Sequence, residues 1–130
     1  MNHQTKPNRE YLTSEHIKGL PFSEAVRVGN MLYLSGQIGI DSSMKLVSGG
    51  IIPETRQVME NIKATLERYG SSLDHVIKVT VMLADISEWA EMNKVYVSYF
   101  AKHLPARSAL GANGLAMGAR VEIECIAVLR

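Results

Sequence analysis

The run from His75 to Ala84 alternates with a period of two. Ile77, Val79, Val81 and Leu83 point one way, and Val76, Lys78, Thr80 and Met82 point the other. Only an extended chain sends successive side chains to opposite faces, so this run is a β-strand with one apolar face and one mixed face. Arg120 to Val128 repeats the pattern, with Val121, Ile123, Cys125 and Ala127 on one face and Glu122, Glu124, Ile126 and Val128 on the other. Two helical stripes stand against these strands. Val58, Met59, Ile62, Leu66 and Tyr69 form the first, with Pro53 in the opening turn and Gly70 at the stop. Trp89, Met92, Tyr96, Tyr99 and Phe100 form the second, which ends near Leu104-Pro105 and opens on Asp85 and Glu88 at capping-box spacing. Helical spacing accounts for all five of those side chains, so they read as core.

Within Glu24–Ser35, Val26 and Val28 alternate before Gly29-Asn30 and Met31, Leu32, Tyr33 and Leu34 follow, which signals a two-residue hairpin, because such turns need positive φ. Residues 1 to about 20 are polar and lead into an edge strand, and Arg107 to Ala112 forms a short strand. The resulting order of strand, strand, helix, strand, helix, strand, strand is an α+β layout in one domain spanning 1–130, with two helices on one face of a mixed sheet. The other face keeps Val76, Met82, Ile126 and Val128 among Lys78, Glu122 and Glu124. A half-apolar face of this kind predicts self-association, with sites at the interfaces.

A formal charge of +1 offers no electrostatic reason to expect nucleic acid or an anionic membrane as a partner. No apolar run reaches the roughly 18 residues of a membrane span, and the first ten residues lack the apolar middle of a signal peptide. One Cys excludes an internal disulfide and fits a reducing compartment, so the expected location is the cytoplasm. Cys125 falls among core positions and reads as a buried, inert thiol. His3, His16, His75 and His103 have no metal-ligand spacing, so no metal site is expected, and His103 is a minor candidate for the rim of a cleft.

The stretch from Pro105 to Glu124 carries the chemistry. Arg107 stands among small residues, leaving an open approach for a planar anion that matches its fork of donors. Glu122, on a neighbouring strand, could accept a proton beside the held anion. An Arg107–Glu122 ion pair within or between subunits is the competing structural reading. Glu124 reads as structural, a partner for Lys78 or Arg120. Gly36, in Ser35-Gly36-Gln37-Ile38, permits close approach of a ligand or another chain, or else marks a β-bulge.

Several motifs in order then resemble the reactive-intermediate deaminase family, also called the YjgF or L-PSP endoribonuclease family. They are Gly29-Asn30, Ser35-Gly36-Gln37-Ile38, Arg56-Gln57 through Asn61-Ile62-Lys63-Ala64, Lys78-Val79-Thr80, Asn93-x-x-Tyr96, Pro105-Ala106-Arg107-Ser108 and Val121-Glu122-Ile123-Glu124. The resemblance implies a chorismate-mutase-like fold, a homotrimer and active sites in the clefts between subunits. It also implies hydrolysis of enamine and imine acids such as 2-aminoacrylate to 2-keto acids and ammonia, without metal or organic cofactor. By position, Arg107 would hold the substrate carboxylate and Glu122 would help activate water. Ser35, Gly36 and residue 109 would line the substrate, with Asn93 nearby. The family's best-understood branch has Tyr where this chain has Phe22 and Cys where it has Ala109. A lost hydroxyl partner is worth about 0.5–1.5 kcal/mol when neutral, against about 2–5 kcal/mol for a truncated buried Arg in a carboxylate pair, so Arg107 outweighs the missing Tyr. Ala109 widens the pocket and removes a thiol, which predicts a different substrate preference. The alternatives are a non-catalytic module binding a small carboxylate or keto acid at the same cleft, and the ribonuclease of the family's older name, which the near-neutral charge disfavours.

Overall fold

The computed structural model describes residues 8–130. The first seven residues of the polar N-terminal stretch therefore lie outside the described residues. The elements are β1 (Arg9–Leu12), β2 (Ala25–Val28), β3 (Met31–Ile38), α1 (Ile51–Arg68), β4 (Val76–Leu83), α2 (Trp89–Val97), β5 (Ala106–Gly111) and β6 (Val121–Val128). One six-stranded sheet runs in the order β1-β2-β3-β6-β4-β5, antiparallel throughout except for the parallel β4–β5 pair at one edge. Both helices pack on the same face, over a core that includes Leu32, Val58, Leu66, Val81, Met92, Val121 and Ile123, each fully buried. Among the described residues, no helix is long and apolar enough to cross a membrane.

Local chemistry explains the boundaries. Gly29 takes φ 59° at the first central position of the β2–β3 turn, as a type II′ hairpin asks, while Asn30 is not among the positive-φ residues. The glycine at 70, with φ 88°, ends α1. The Ser71 amide donates to the Leu66 carbonyl at 2.8 Å and the Gly70 amide to Glu67 at 3.4 Å, the paired bonds of a Schellman stop. Asn61 on α1 donates to the Ile40 carbonyl at 2.9 Å, and Gln37 on β3 donates to Thr65 at 3.0 Å, fastening the helix to the end of β3. Those bonds give structural work to two motif residues, Asn61 and Gln37, that carry no chemistry.

The structure corrects four sequence expectations. Val76 is buried in the core and Ile77 is 45% exposed, the reverse of strict alternation. The register slips between Val76 and Lys78, so Ile77 is the extra residue of a bulge, and a bulge switches the faces of everything before it. The second helix ends at Val97 rather than near Leu104, because the amides of Ser98, Tyr99 and Phe100 each bond three residues back and tighten the chain out of the α-helix. Tyr99 and Phe100 still pack on the core. Asp85 does cap, accepting from the Ser87 amide at 2.9 Å, but Glu88 does not close a capping box. It pairs with Arg120 at 2.8 Å and ties the start of α2 to the start of β6. Trp89, expected in the core, is 45% exposed.

Gly39 sits where α1 crosses the end of β3. A Cβ there would lie 2.9 Å from the Glu54 carbonyl oxygen and 3.1 Å from its Cα, and helix backbone cannot yield as a flexible side chain can. Gly39→Ala is expected to cost about 1–3 kcal/mol by overpacking, read as a lower urea midpoint at an unchanged m-value.

Candidate active site

Alternation places Arg107 on the helix-covered face, since its β4 partner is the core residue Val79. Its guanidinium reaches α2. One Nη1–H donates to Asn93 Oδ1 at 2.7 Å, and the charge lies 4.8 Å from the Tyr96 ring centroid and 5.7 Å from that of Trp89. Trp89, Asn93 and Tyr96 follow at spacings of four and three, one stripe of the helix. A half-buried cation thus rests on aromatic faces and a neutral amide, and no carboxylate of any described residue pairs with it. One of five donors is used, and the remainder of the fork is free for a planar anion. Ala109 follows on the same face, packed against the core beside Val81. Its methyl leaves room where a larger side chain would stand.

Glu122 lies on the other face of the sheet. Its strand partners are Ile38 and Met82, and its carboxylate lies over Gly36, where a Cβ would come within 2.2 Å of Oε2. A Cβ there would displace the carboxylate from this position. Ser35 and Gly36 also form the bulge against β6, between the pairs Leu34–Cys125 and Gln37–Ile123, so the bulge reading of that glycine holds, and the group close to it is the chain's own Glu122 carboxylate. The Ser35 hydroxyl donates to the Ser23 carbonyl at 2.6 Å, which fixes the segment carrying the half-exposed Phe22. Glu24 anchors that segment from beneath. Its buried carboxylate accepts from Arg68 at 2.6 Å and from the Tyr69 hydroxyl at 2.7 Å. The sequence reading missed this cluster, because forty-odd residues separate its members in the chain and no local spacing connects them.

The predicted residues therefore fall into two groups. Arg107, Asn93 and Ala109 share the helix side at the β5 edge, Glu122, Gly36 and Ser35 belong to the open side, and Phe22 stands half-exposed in the segment before β2. The strand beside Glu122 is not that of Arg107, as the sequence reading had it, because β4 lies between β5 and β6. An Arg107–Glu122 ion pair within one chain is absent for the same reason. Neither suggested partner meets Glu124, which is exposed: Arg120 is bound to Glu88, and Lys78 donates to Ser108 at 3.3 Å. Among the described residues no three His, Cys, Asp or Glu side chains cluster to hold a metal ion. His103 contacts the Asp74 carbonyl at 2.8 Å, in a groove of about 290 Å³ formed with Ile77, Leu104 and Val128. Burial pushes the Cys125 thiol up to about 12, which makes it inert at neutral pH.

Comparison with known proteins agrees on one lineage. The family described as Endoribonuclease L-PSP matches residues 15–129. The chain is 44% identical over 109 residues to the 2-iminobutanoate/2-iminopropanoate deaminase of Mus musculus, covering 83% of this chain and 81% of that protein. It is 47% identical over 109 residues to Protein HMF1 of Saccharomyces cerevisiae, covering 84% of each. Among solved structures, RidA from an Antarctic Psychrobacter superposes with a TM-score of 0.82 at 37% identity, covering 97% of this chain and all of that one.

Tyr96 supplies a pH test of the aromatic support under Arg107. Its hydroxyl is buried with no hydrogen-bond partner among the described residues, and burial pushes the phenol up from 10.0 to about 12 against the lowering pull of Arg107. Below pH 10 the phenol is protonated in folded and unfolded chains alike. Between pH 10 and about 12 only the unfolded chain loses the proton, so folding stability falls across that window. Tyr96→Phe is expected to change stability by less than about 1 kcal/mol at pH 7, since no bond is lost, and to remove part of the alkaline fall. Urea unfolding at both ends of the window measures it.

Proposed function

This chain belongs to the Endoribonuclease L-PSP family, which includes the RidA and YjgF proteins, and from that premise we propose that it is a cofactor-independent deaminase of reactive imine acids. The observation that carries the reading is Arg107: a half-buried guanidinium, held flat by Tyr96 and Asn93, with no carboxylate of its own. A 2-imino acid offers a planar carboxylate beside the carbon to be attacked. Binding that carboxylate in the free fork of Arg107 fixes the C=N bond in place, and orientation of this kind accounts for much of the rate in such reactions. Glu122 accepts a proton from water as the water oxygen bonds to the imine carbon. That proton passes to the nitrogen to give a carbinolamine. Glu122 then takes the proton of the new hydroxyl and delivers it to the amine as the C=O bond forms, so the C–N bond breaks and ammonia leaves with the 2-keto acid. An enamine such as 2-aminoacrylate enters after tautomerising to its imine.

Arg107 and Glu122 occupy opposite faces of one sheet, so a site that uses both needs more than one copy of the chain. The open face supports that assembly. Val26, Met31, Ile38, Met82, Ile126 and Val128 are half-buried there, beside Tyr33 at 43% and Leu110 at 45% exposure. The proposed assembly is a homotrimer of the chorismate-mutase-like type, with the Arg107 group of one subunit facing the Glu122 group of the next and each single-domain chain supplying both halves. Its substrate is a small carboxylate. Phe22 would line the pocket without the hydroxyl of the Tyr in the best-understood branch. The expected setting is the cytoplasm, with no membrane or nucleic-acid partner.

Generating imino acids in situ with an amino-acid oxidase and following their loss tests the reading. Arg107→Gln should raise KM at least about thirtyfold, the equivalent of about 2 kcal/mol. Glu122→Gln should lower kcat about a hundredfold or more. Gly36→Ala should fold, because only the end of the Glu122 side chain must move, yet lose kcat with KM little changed. No acceleration of any imine, or equal acceleration by Arg107→Gln, rejects deamination, and tight keto-acid binding without turnover would identify a binding protein instead. Light scattering should return three times the chain mass of 14.4 kDa, and a monomer would reject the shared site.

A further inference from the structure

The strongest unassigned feature beside Arg107 is an indole. Trp89 is 45% exposed, begins α2, and lies 5.7 Å from the Arg107 charge. Tyr96, the other ring beside that charge, is 3% exposed and serves as the floor under the guanidinium. Asn93 occupies one Nη1 donor, so an anion approaches the part of the fork that Asn93 and Tyr96 leave open. Trp89 is thus the one aromatic side chain in contact with Arg107 that still offers a large area to a ligand. Ala109, two residues along the same strand face, presents a methyl and leaves space beside it.

We infer that Trp89 is a specificity-determining residue of this site, an apolar wall that selects 2-imino acids with large apolar or aromatic side chains over three-carbon ones. The inference rests on Arg107 as the carboxylate grip. With the carboxylate held there, the side chain of the acid extends from the neighbouring carbon by a few ångströms, and an exposed indole at that range is a surface to stack on. Stacking aromatic rings or covering indole with aliphatic chain removes apolar area from water. A propanoate-sized acid reaches too little of the ring to benefit. A purely supporting role, in which the indole only steadies the guanidinium, would weaken every acid equally.

Trp89 is the sole tryptophan of the chain, so its emission reports directly on this wall. The unaltered protein is titrated with propanoate, hexanoate and 3-phenylpropanoate, which bind without reacting, and affinities in the variants are read by calorimetry. The expected result is a change in Trp emission on binding and about tenfold tighter binding of 3-phenylpropanoate than of propanoate, with hexanoate between. That preference should persist in Trp89→Phe and fall below about threefold in Trp89→Ala, while Arg107→Gln loses all three acids. Binding without an emission change overturns the inference, as does a preference unchanged in Trp89→Ala or an equal weakening of all three acids there. Those results leave the Arg107 reading standing. Failure of any acid to bind, or undiminished binding by Arg107→Gln, overturns the carboxylate grip and the specificity role with it. The emission change and the ranking of the three acids are both read on the unaltered chain, so the absence of either overturns the inference whichever variants fold.

Discussion

Two helices cannot cover both faces of a six-stranded sheet, and most of the proposed function follows from that shortage. The covered face takes the large aliphatic residues of β4 and β6 together with the inner stripes of α1 and α2. The other face is left half apolar, with Tyr33, Met82, Leu110 and Ile126 beside the carboxylates of Glu122 and Glu124. Such a surface is costly to hydrate and cheap to bury against a copy of itself. The same division separates the two charged groups proposed for chemistry, which share no face. Catalysis and assembly are therefore one requirement in the proposed function.

The two groups are built differently. Arg107 is immobilised by soft contacts, a ring face, an indole and an amide, none of which neutralises it. A buried carboxylate in place of Asn93 would have satisfied the guanidinium and closed the site to an external anion. Glu122 is positioned by the absence of a side chain, since Gly36 yields the volume that its carboxylate fills. Around both, the rigid parts are structural polar bonds: Asn61 and Gln37 between α1 and β3, Glu24 with Arg68 and Tyr69 under the Phe22 segment, and Glu88 with Arg120 between α2 and β6. These long-range contacts hold in place the elements around the strands from which the groups project.

Elements with a strong period were legible in advance. The strands at 76–83 and 121–128, the helix ending at Gly70 and the turn at Gly29-Asn30 stand where their patterns place them. The misses have separate causes, none of them visible in a local period. A bulge at Ile77 inserts one residue and inverts the face of Val76, which no alternation count can register. The end of α2 at Val97 is set by backbone bonding three residues back, although the aromatic stripe continues to Phe100. Trp89 fits the helical stripe but lies at its solvent edge, where it meets Arg107 instead of the core.

By itself, the sequence determined which residues could carry the chemistry and that Glu122 stands on the face opposite the core row, because residue type and period are local properties. Arg107 among small residues, Glu122 opposite a core row and Gly36 beside Ser35 all follow from it. Which of these meet was decided only by tertiary structure. Strand order inserts β4 between the strands of Arg107 and Glu122, and the packing of α2 brings Asn93, Tyr96 and Trp89 together on the guanidinium. The physical reason is that strand order and helix crossing arise from packing between segments far apart in the chain, where periodicity carries no information.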